Sequence, residues 1–250
     1  MASIKVTTAH DVVNQRDGLT SLREAIAEAR TMPGHDEISF DAGLLDDQGA
    51  VTLRLLSGEL AIGSDLSISG DVDGDGIGDV TLDARGESRV FLITAGAIDL
   101  EDLTISRGNS SGSGGGLHVS EGAEVNLDRV IVSGNSTNFD GGGVFNLGAL
   151  TLTDSLVTDN AALSEGGGLH NEGELVLIRS TISQNSTIAN GGGLQNAGTA
   201  TLIGSSVSGN FSIANGGGVN NTHAGTLTMD RSTISGNSAA GSAGGTNVGH

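Results

Sequence analysis

Gly141-Gly142-Gly143-Val144-Phe145-Asn146-Leu147-Gly148-Ala149-Leu150-Thr151-Leu152-Thr153-Asp154-Ser155-Leu156-Val157-Thr158-Asp159-Asn160 is followed, after five residues, by Gly166-Gly167-Gly168-Leu169, and the pattern starts again. Glycine triplets begin at Gly114, Gly141, Gly166, Gly191 and Gly216, spaced by 27, 25, 25 and 25 residues. A weaker copy, Ala243-Gly244-Gly245, stands 27 residues further on. Both longer spacings trace to two extra residues at one corner, around Ser120-Glu121 and around Thr222-His223. The underlying period is therefore 25.

Aligned on the triplets, the copies form columns. One aliphatic column reads Leu117, Val144, Leu169, Leu194, Val219. An apolar-x-apolar piece follows: Val125/Leu127, Leu150/Leu152, Leu175/Leu177, Ala200/Leu202, Leu227/Met229. A third column is Val132, Val157, Ile182, Val207, Ile234. Each piece alternates with period two, which marks strands, and short strands at a fixed spacing mark the coils of a solenoid. The fold expected is all-β, a right-handed parallel β-helix of about 25 residues per coil. An asparagine recurs at Asn135, Asn160, Asn185, Asn210 and Asn237, with Asn109 read as its upstream extension; this column is expected to be a structural amide ladder. A charged column, Asp102, Arg129, Asp154, Arg179, Gly204, Arg231, predicts an ion-pair ladder from Asp102 to Arg179 with rungs about 4.8 Å apart.

This architecture accounts for an unusual composition. The 250 residues include 42 glycines, one proline, five phenylalanines, and no cysteine, tryptophan or tyrosine. Glycine is near 17%, against an average of about 7%. Glycines turn corners, and small aliphatic side chains fill a thin interior. The lack of cysteine excludes disulfides and thiolate metal sites. A net charge of -19 argues against nucleic acid and anionic membrane as partners. No apolar stretch approaches the ~20 residues of a membrane span.

The first part of the chain differs. Ser21-Leu22-Arg23-Glu24 is a capping-box pattern, and Leu22, Ala25, Ile26 and Ala29 share one helical face. A helix over about 22–30 is expected to plug the end of the β-helix. Residues 1–65 read as a cap with irregular first coils, 66–94 as a coil carrying an acidic hairpin loop, and 95–250 as regular repeats. In that loop, Asp71-Val72-Asp73-Gly74-Asp75-Gly76-Ile77-Gly78-Asp79 spaces carboxylates at positions 1, 3, 5 and 9, with the Ile77 carbonyl at 7. Asp71, Asp73, Asp75, Ile77 and Asp79 are the ligands expected for Ca²⁺, which takes six to eight oxygens. Residues 1–113 carry a net charge of -12 and the rest -7.

Asp17-Gly18-Leu19-Thr20-Ser21-Leu22-Arg23-Glu24-Ala25-Ile26, followed by Asp36-Glu37-Ile38-Ser39-Phe40, resembles the CSLREA-type N-terminal module of bacterial surface and secreted β-helix proteins. Thr20 stands where the name-giving cysteine would be. The repeats resemble those of polymorphic outer-membrane proteins and related adhesins. The resemblance implies a large exported protein, secreted or at the cell surface, without catalytic activity. No secretory signal is visible, and the chain stops in mid-repeat at Gly249-His250. A fragment is expected, or an end covered by further domains of the parent chain or by a second copy. Host or matrix glycan or protein is the partner class such a surface protein would meet.

A polysaccharide-binding or polysaccharide-cleaving β-helix is the alternative. Against a lyase, Lys5 is the only lysine, and Arg129, Arg179 and Arg231 belong to the charged column. Against a hydrolase, Asp128 and Asp230 share a column four coils apart, and Asp154 and Asp159 lie on different parts of one coil. The expectation is no enzyme. His118 and His170 share a column with Phe145 between them, too far apart for one metal ion. They are read as exposed polar positions, and His10, His35, His223 and His250 as unpartnered. The column Asn126, Thr151, Val176, Thr201, Thr228 is too irregular for an ice-binding array.

Overall fold

The computed structural model describes residues 2–241; Ala243-Gly244-Gly245 and Gly249-His250 lie outside the described residues. The chain winds as a parallel β-solenoid of about eight turns, about 26 residues per turn. Its strands form four sheets of nine, eight, six and seven strands, the six-stranded one starting only at Asn109–Ser110. In the repeat quoted first, Ala149–Thr153 belongs to the nine-stranded sheet and Leu156–Thr158 to the eight-stranded one. Ala161–Ala162 and Leu169–Asn171 then join the six- and seven-stranded sheets. Each pairs in parallel with its counterpart a coil away, as in Leu150↔Leu175, Val157↔Ile182 and Val144↔Leu169.

The aliphatic columns point inward and stack like on like. Leu127, Leu152, Leu177 and Leu202 are at most 1% exposed, as are Val132, Val157, Ile182 and Val207. Because every coil brings the same side chain to the same place, the core needs no large aromatic to close it. Phe40 and Phe91, the phenylalanines within the apolar core, lie in the early, irregular coils.

Corners join these strands, and polar columns satisfy the backbone there. Each Asn Oδ1 accepts two bonds from the preceding asparagine: Asn160 Oδ1 takes Asn135 N at 2.9 Å and Asn135 Nδ2 at 3.0 Å. The same pair repeats from Asn160 to Asn185, Asn185 to Asn210, and Asn210 to Asn237. Asn109 is not in this ladder. Gly108 occupies that rung and donates its N–H to Asn135 Oδ1 at 2.7 Å, while Asn109 pairs with Ser136 and faces solvent. The spacing from Ile105 reaches Gly108, so the upstream extension fails by one residue.

The glycine triplets serve two ends. Their first members hold φ between 60° and 80°, a left-handed backbone that side chains resist. Their third members pack across the asparagine ladder: a Cβ on Gly168 would lie 2.8 Å from the Asn185 amide.

At the N-terminal end, Ser3–Val6 pairs in parallel with Asp36–Phe40, and the helix Leu22–Ala29 lies in the connection. Ser21 and Glu24 close the capping box from both sides, and Leu22, Ala25, Ile26 and Ala29 are the buried face. The helix stops at Ala29, one residue short of the expected end, with Arg30 as its C-cap. The helix packs against Ser3–Val6, Asp36–Phe40 and Leu60–Ile62. Among the described residues no helix is long and apolar enough to cross a membrane.

Candidate metal centre

The acidic loop is a corner, not a hairpin. Leu66–Ser69 belongs to the nine-stranded sheet and Val80–Asp83 to the eight-stranded sheet, so the flanking strands do not pair with each other. One coil later, Ser69 is matched by Glu101 and Val80 by Leu103, leaving Asp102 alone at the turn. Residues 70–79 therefore occupy a corner that later coils turn with one residue. The Asp79 N–H donates to the Gly70 carbonyl at 2.9 Å, and the Gly70 N–H donates to the Glu101 carbonyl at 2.9 Å. A Cβ on Gly70 or Gly78 would lie 2.2 or 2.4 Å from the Asp102 carbonyl oxygen, so glycine lets the loop base rest on the next coil.

Within the loop, Asp71, Asp73 and Asp79 bring one carboxylate oxygen each within 4.8 Å of one another. Asp71 accepts from Gly74 N at 2.8 Å and Gly76 N at 3.1 Å, and Asp79 accepts from Val72 N at 2.9 Å. Gly74 and Gly76, both at φ 82°, make the reversals these bonds need. Asp75 stands outside the cluster, its Oδ1 turned back to accept from Ile77 N at 2.8 Å. The side chain of Ile77 is 65% exposed. Three converging carboxylates are a donor set that fits a hard divalent cation, and without one their charges repel.

Beside this loop runs the charged column, at φ values of 48–58° from Asp102 to Arg231. These corner residues are held in the left-handed region, a constraint that sequence alignment did not reveal. The expected continuous ion-pair ladder is instead two separate pairs. Arg129 Nε and Nη2 donate to the Asp102 carboxylate at 2.7 and 2.8 Å, and Arg179 Nε donates to Asp154 at 2.8 Å, with a second bond at 2.5 Å. The middle rung is absent because the remaining Arg129 nitrogen turns to Asp128 in its own coil. The Arg179 guanidinium holds the Asp154 carboxyl below its ordinary value. Glu101 is pushed the other way, first by burial and then by the charge of Asp128 directly opposite.

A second network, which sequence reading missed, fastens the cap. Arg23 of the helix donates to both oxygens of buried Asp11, at 2.7 and 3.0 Å, and to the carbonyls of Gly58 and Glu59 at 2.7 and 2.8 Å. Asp11 also accepts from Leu56 N and Ser57 N at 2.7 and 2.8 Å. Burial raises its pKa, but the Arg23 guanidinium and these two N–H groups outweigh burial and hold it below the ordinary value. Glu59 then meets Arg89 at 2.6 Å, and Arg89 reaches Gly114 O, Ser110 Oγ and Ser113 O. These residues are scattered in sequence and carry no period. By contrast, two further ladders do have a periodic signal: Asn146-Asn171-Asn196-Asn221 and Ser155-Ser180-Ser205-Ser232.

The histidine column is not exposed. His118, Phe145 and His170 stack with ring centroids 5.2 Å apart at each step, and His170 is 5% exposed. The first glycines of the triplets rest on it: a Cβ on Gly166 would lie 2.9 Å from that of His170. Burial lowers the His118 pKa, partly offset by the Ser113 carbonyl. His35 has a neighbour as well, with Nε2 3.9 Å from the Asp99 carboxylate.

No family model matches the chain, and no curated protein or solved structure is similar enough to be matched.

Proposed function

We propose that this chain is a non-catalytic structural or adhesive rod of a large exported bacterial surface protein, stiffened near its N-terminal end by calcium. The corner loop carries the proposal: Asp71, Asp73 and Asp79 converge within 4.8 Å on a base clamped to the next coil. Asp71, Asp73 and Asp79 would hold the ion, with the Ile77 carbonyl as a further oxygen donor in the same turn, while Asp75 stays turned back on the loop backbone. A cation there would tie two sheets at this widened corner and neutralise the repulsion among the acids. The rod reading is supported by the rest of that edge, where Arg129 and Arg179 are engaged by Asp102 and Asp154 rather than left for a substrate.

Isothermal titration with CaCl₂ should show binding, and EGTA should lower the melting temperature; no heat together with an unchanged melting temperature would overturn the calcium reading. A glycan array with a uronate-lyase assay tests the rest. Adhesion predicts binding without turnover to a host or matrix glycan, or capture of a matrix protein. Measured turnover would replace this reading with the polysaccharide-cleaving one.

A further inference from the structure

The six-stranded sheet and the corner after it expose large apolar side chains in register. Leu163, Ile188 and Ile213 stack directly, one per coil, and are 54, 51 and 50% exposed. Phe211 lies beside Ile213 at 41%, and Phe139 lies near the N-terminal end of the stripe at 49%. Contiguous exposed apolar surface of this kind marks an interaction site. Its spacing is set by the coil rise of about 4.8 Å, so the surface that meshes with it rung for rung is another solenoid of the same rise.

The charges beside the stripe select the orientation. On one flank runs a hydrogen-bonded column: Asp140 accepts from Glu165 N, Asn190 donates to Glu165, and Asn215 donates to Asn190. It is acidic at its N-terminal end and amide at its C-terminal end. On the other flank, the column Asp159, Gln184, Gly209 carries one acid. Two copies meeting in parallel would set Glu165 against Asp159. Two copies meeting antiparallel, about a two-fold axis at Ile188, set Glu165 against Asn215 and Asp159 against Gly209. The antiparallel match also sets Phe211 against Ala161 and Phe139 against Gly241, large against small.

We infer that this stripe is a self-association surface on which a second copy of the chain docks antiparallel, with Ile188 at the two-fold axis. The patch is small beside the ~800 Å² per partner of a standard interface, so the dimer is reversible and depends on concentration. Each copy carries -19, so added salt strengthens the dimer by screening that repulsion.

Sedimentation equilibrium from micromolar to millimolar concentration should show a monomer–dimer equilibrium. Ile188→Lys should raise its dissociation constant at least about tenfold, or about 1.4 kcal/mol, with the melting temperature unchanged because the position is half exposed. Leu163→Lys alone should weaken the dimer, and Leu163→Lys combined with Ile213→Glu should restore it, since antiparallel docking sets position 163 against position 213 of the second copy. The chain has no cysteine, so Ile188→Cys should cross-link to itself through a short bis-maleimide while Thr52→Cys, on the eight-stranded sheet, should not. A monomer at every concentration, or a dimer indifferent to Ile188→Lys, overturns the proposal. Failure of the paired charges to restore association overturns the antiparallel arrangement.

Discussion

Between Asp11 and Arg89 the coils are joined by charged groups that each occur once, whereas between Asn135 and Asn237 they are joined by the same few neutral polar side chains repeated on every coil. In the first region Arg23 and Arg89 reach across several coils to particular carbonyls and carboxylates. In the second, each asparagine bonds its neighbours, and the loss of one rung leaves the others in place. The lesson concerns cooperativity. A one-dimensional array spreads its stability over nearest-neighbour terms, while an irregular cap concentrates its stability in a few residues that have no substitutes.

The sharpest way to break this contrast is Asp11→Ala. It leaves the half-buried Arg23 and two N–H groups without their acceptor, and breaking such a pair costs about 3–5 kcal/mol. Chemical denaturation should show that loss, and the cap should exchange its amide hydrogens first. The pH dependence follows from the lowered pKa of Asp11. An acid whose folded pKa is depressed contributes stability above its unfolded value and loses it as pH falls through the folded one. Wild-type stability should therefore drop below the usual aspartate value of 3.8, and Asp11→Ala should flatten that part of the profile.

Asn185→Ala is the matching test in the array. It leaves Asn160 N without its acceptor and takes one of two acceptors from Asn160 Nδ2, which keeps the Val132 carbonyl. An orphaned buried donor costs about 1–3 kcal/mol, and a loss of that size is expected in denaturant titrations. Asn237→Ala, at the half-exposed end of the ladder, should cost less. Equal losses at the two positions would show that the coils do not act as a nearest-neighbour array.

Calcium sharpens the comparison from the other side. At a concentration one hundred times its dissociation constant, a ligand that binds only the native state adds about 2.7 kcal/mol. Hydrogen exchange should place the added protection at Val51–Arg54 and Leu66–Ser69, beside the corner loop, and leave Leu175–Leu202 unchanged. Protection spread evenly along the rod would mean that the cap and the array unfold as one unit.

The two regions were unequally legible in the sequence. The period, the inward columns and the capping box at Ser21 and Glu24 were readable because stacking places like residues at fixed intervals and because caps are local. The interval reading slipped at Asn109, where Gly108 holds the rung. It missed that the column from Asp102 to Arg231 lies in the left-handed region, because the charges drew notice and the backbone did not. The Asp11–Arg23–Glu59–Arg89 network was out of reach, since each contact is unique and distant in sequence. The histidine stack was misread for a related reason: outward-facing positions became buried once the glycine corner folded over them. In the acidic loop, spacing identified the carboxylates, but the turn bond to Ile77 N sets Asp75 apart from the three that converge.

The smallest effect expected tests where the regions meet. Glu101 stands opposite Asp128 on the nine-stranded sheet, beside the corner that carries the acidic loop. Its pKa is raised, by burial first and then by Asp128, with Arg129 opposing. A native carboxyl that holds its proton more tightly than the unfolded one loses stability as pH rises from the usual value of 4.5 to the raised one. Below that window the penalty is absent, and at neutral pH it is complete. Glu101→Gln should therefore stabilise the protein at pH 7 by at most about 1 kcal/mol, the scale of a like-charge cross-strand pair. For a chain of this size that is a rise of about 2–4 °C in melting temperature, and it should vanish below about pH 4. A gain that persists in acid would mean that Glu101 is disfavoured by its shape in the sheet and not by its charge.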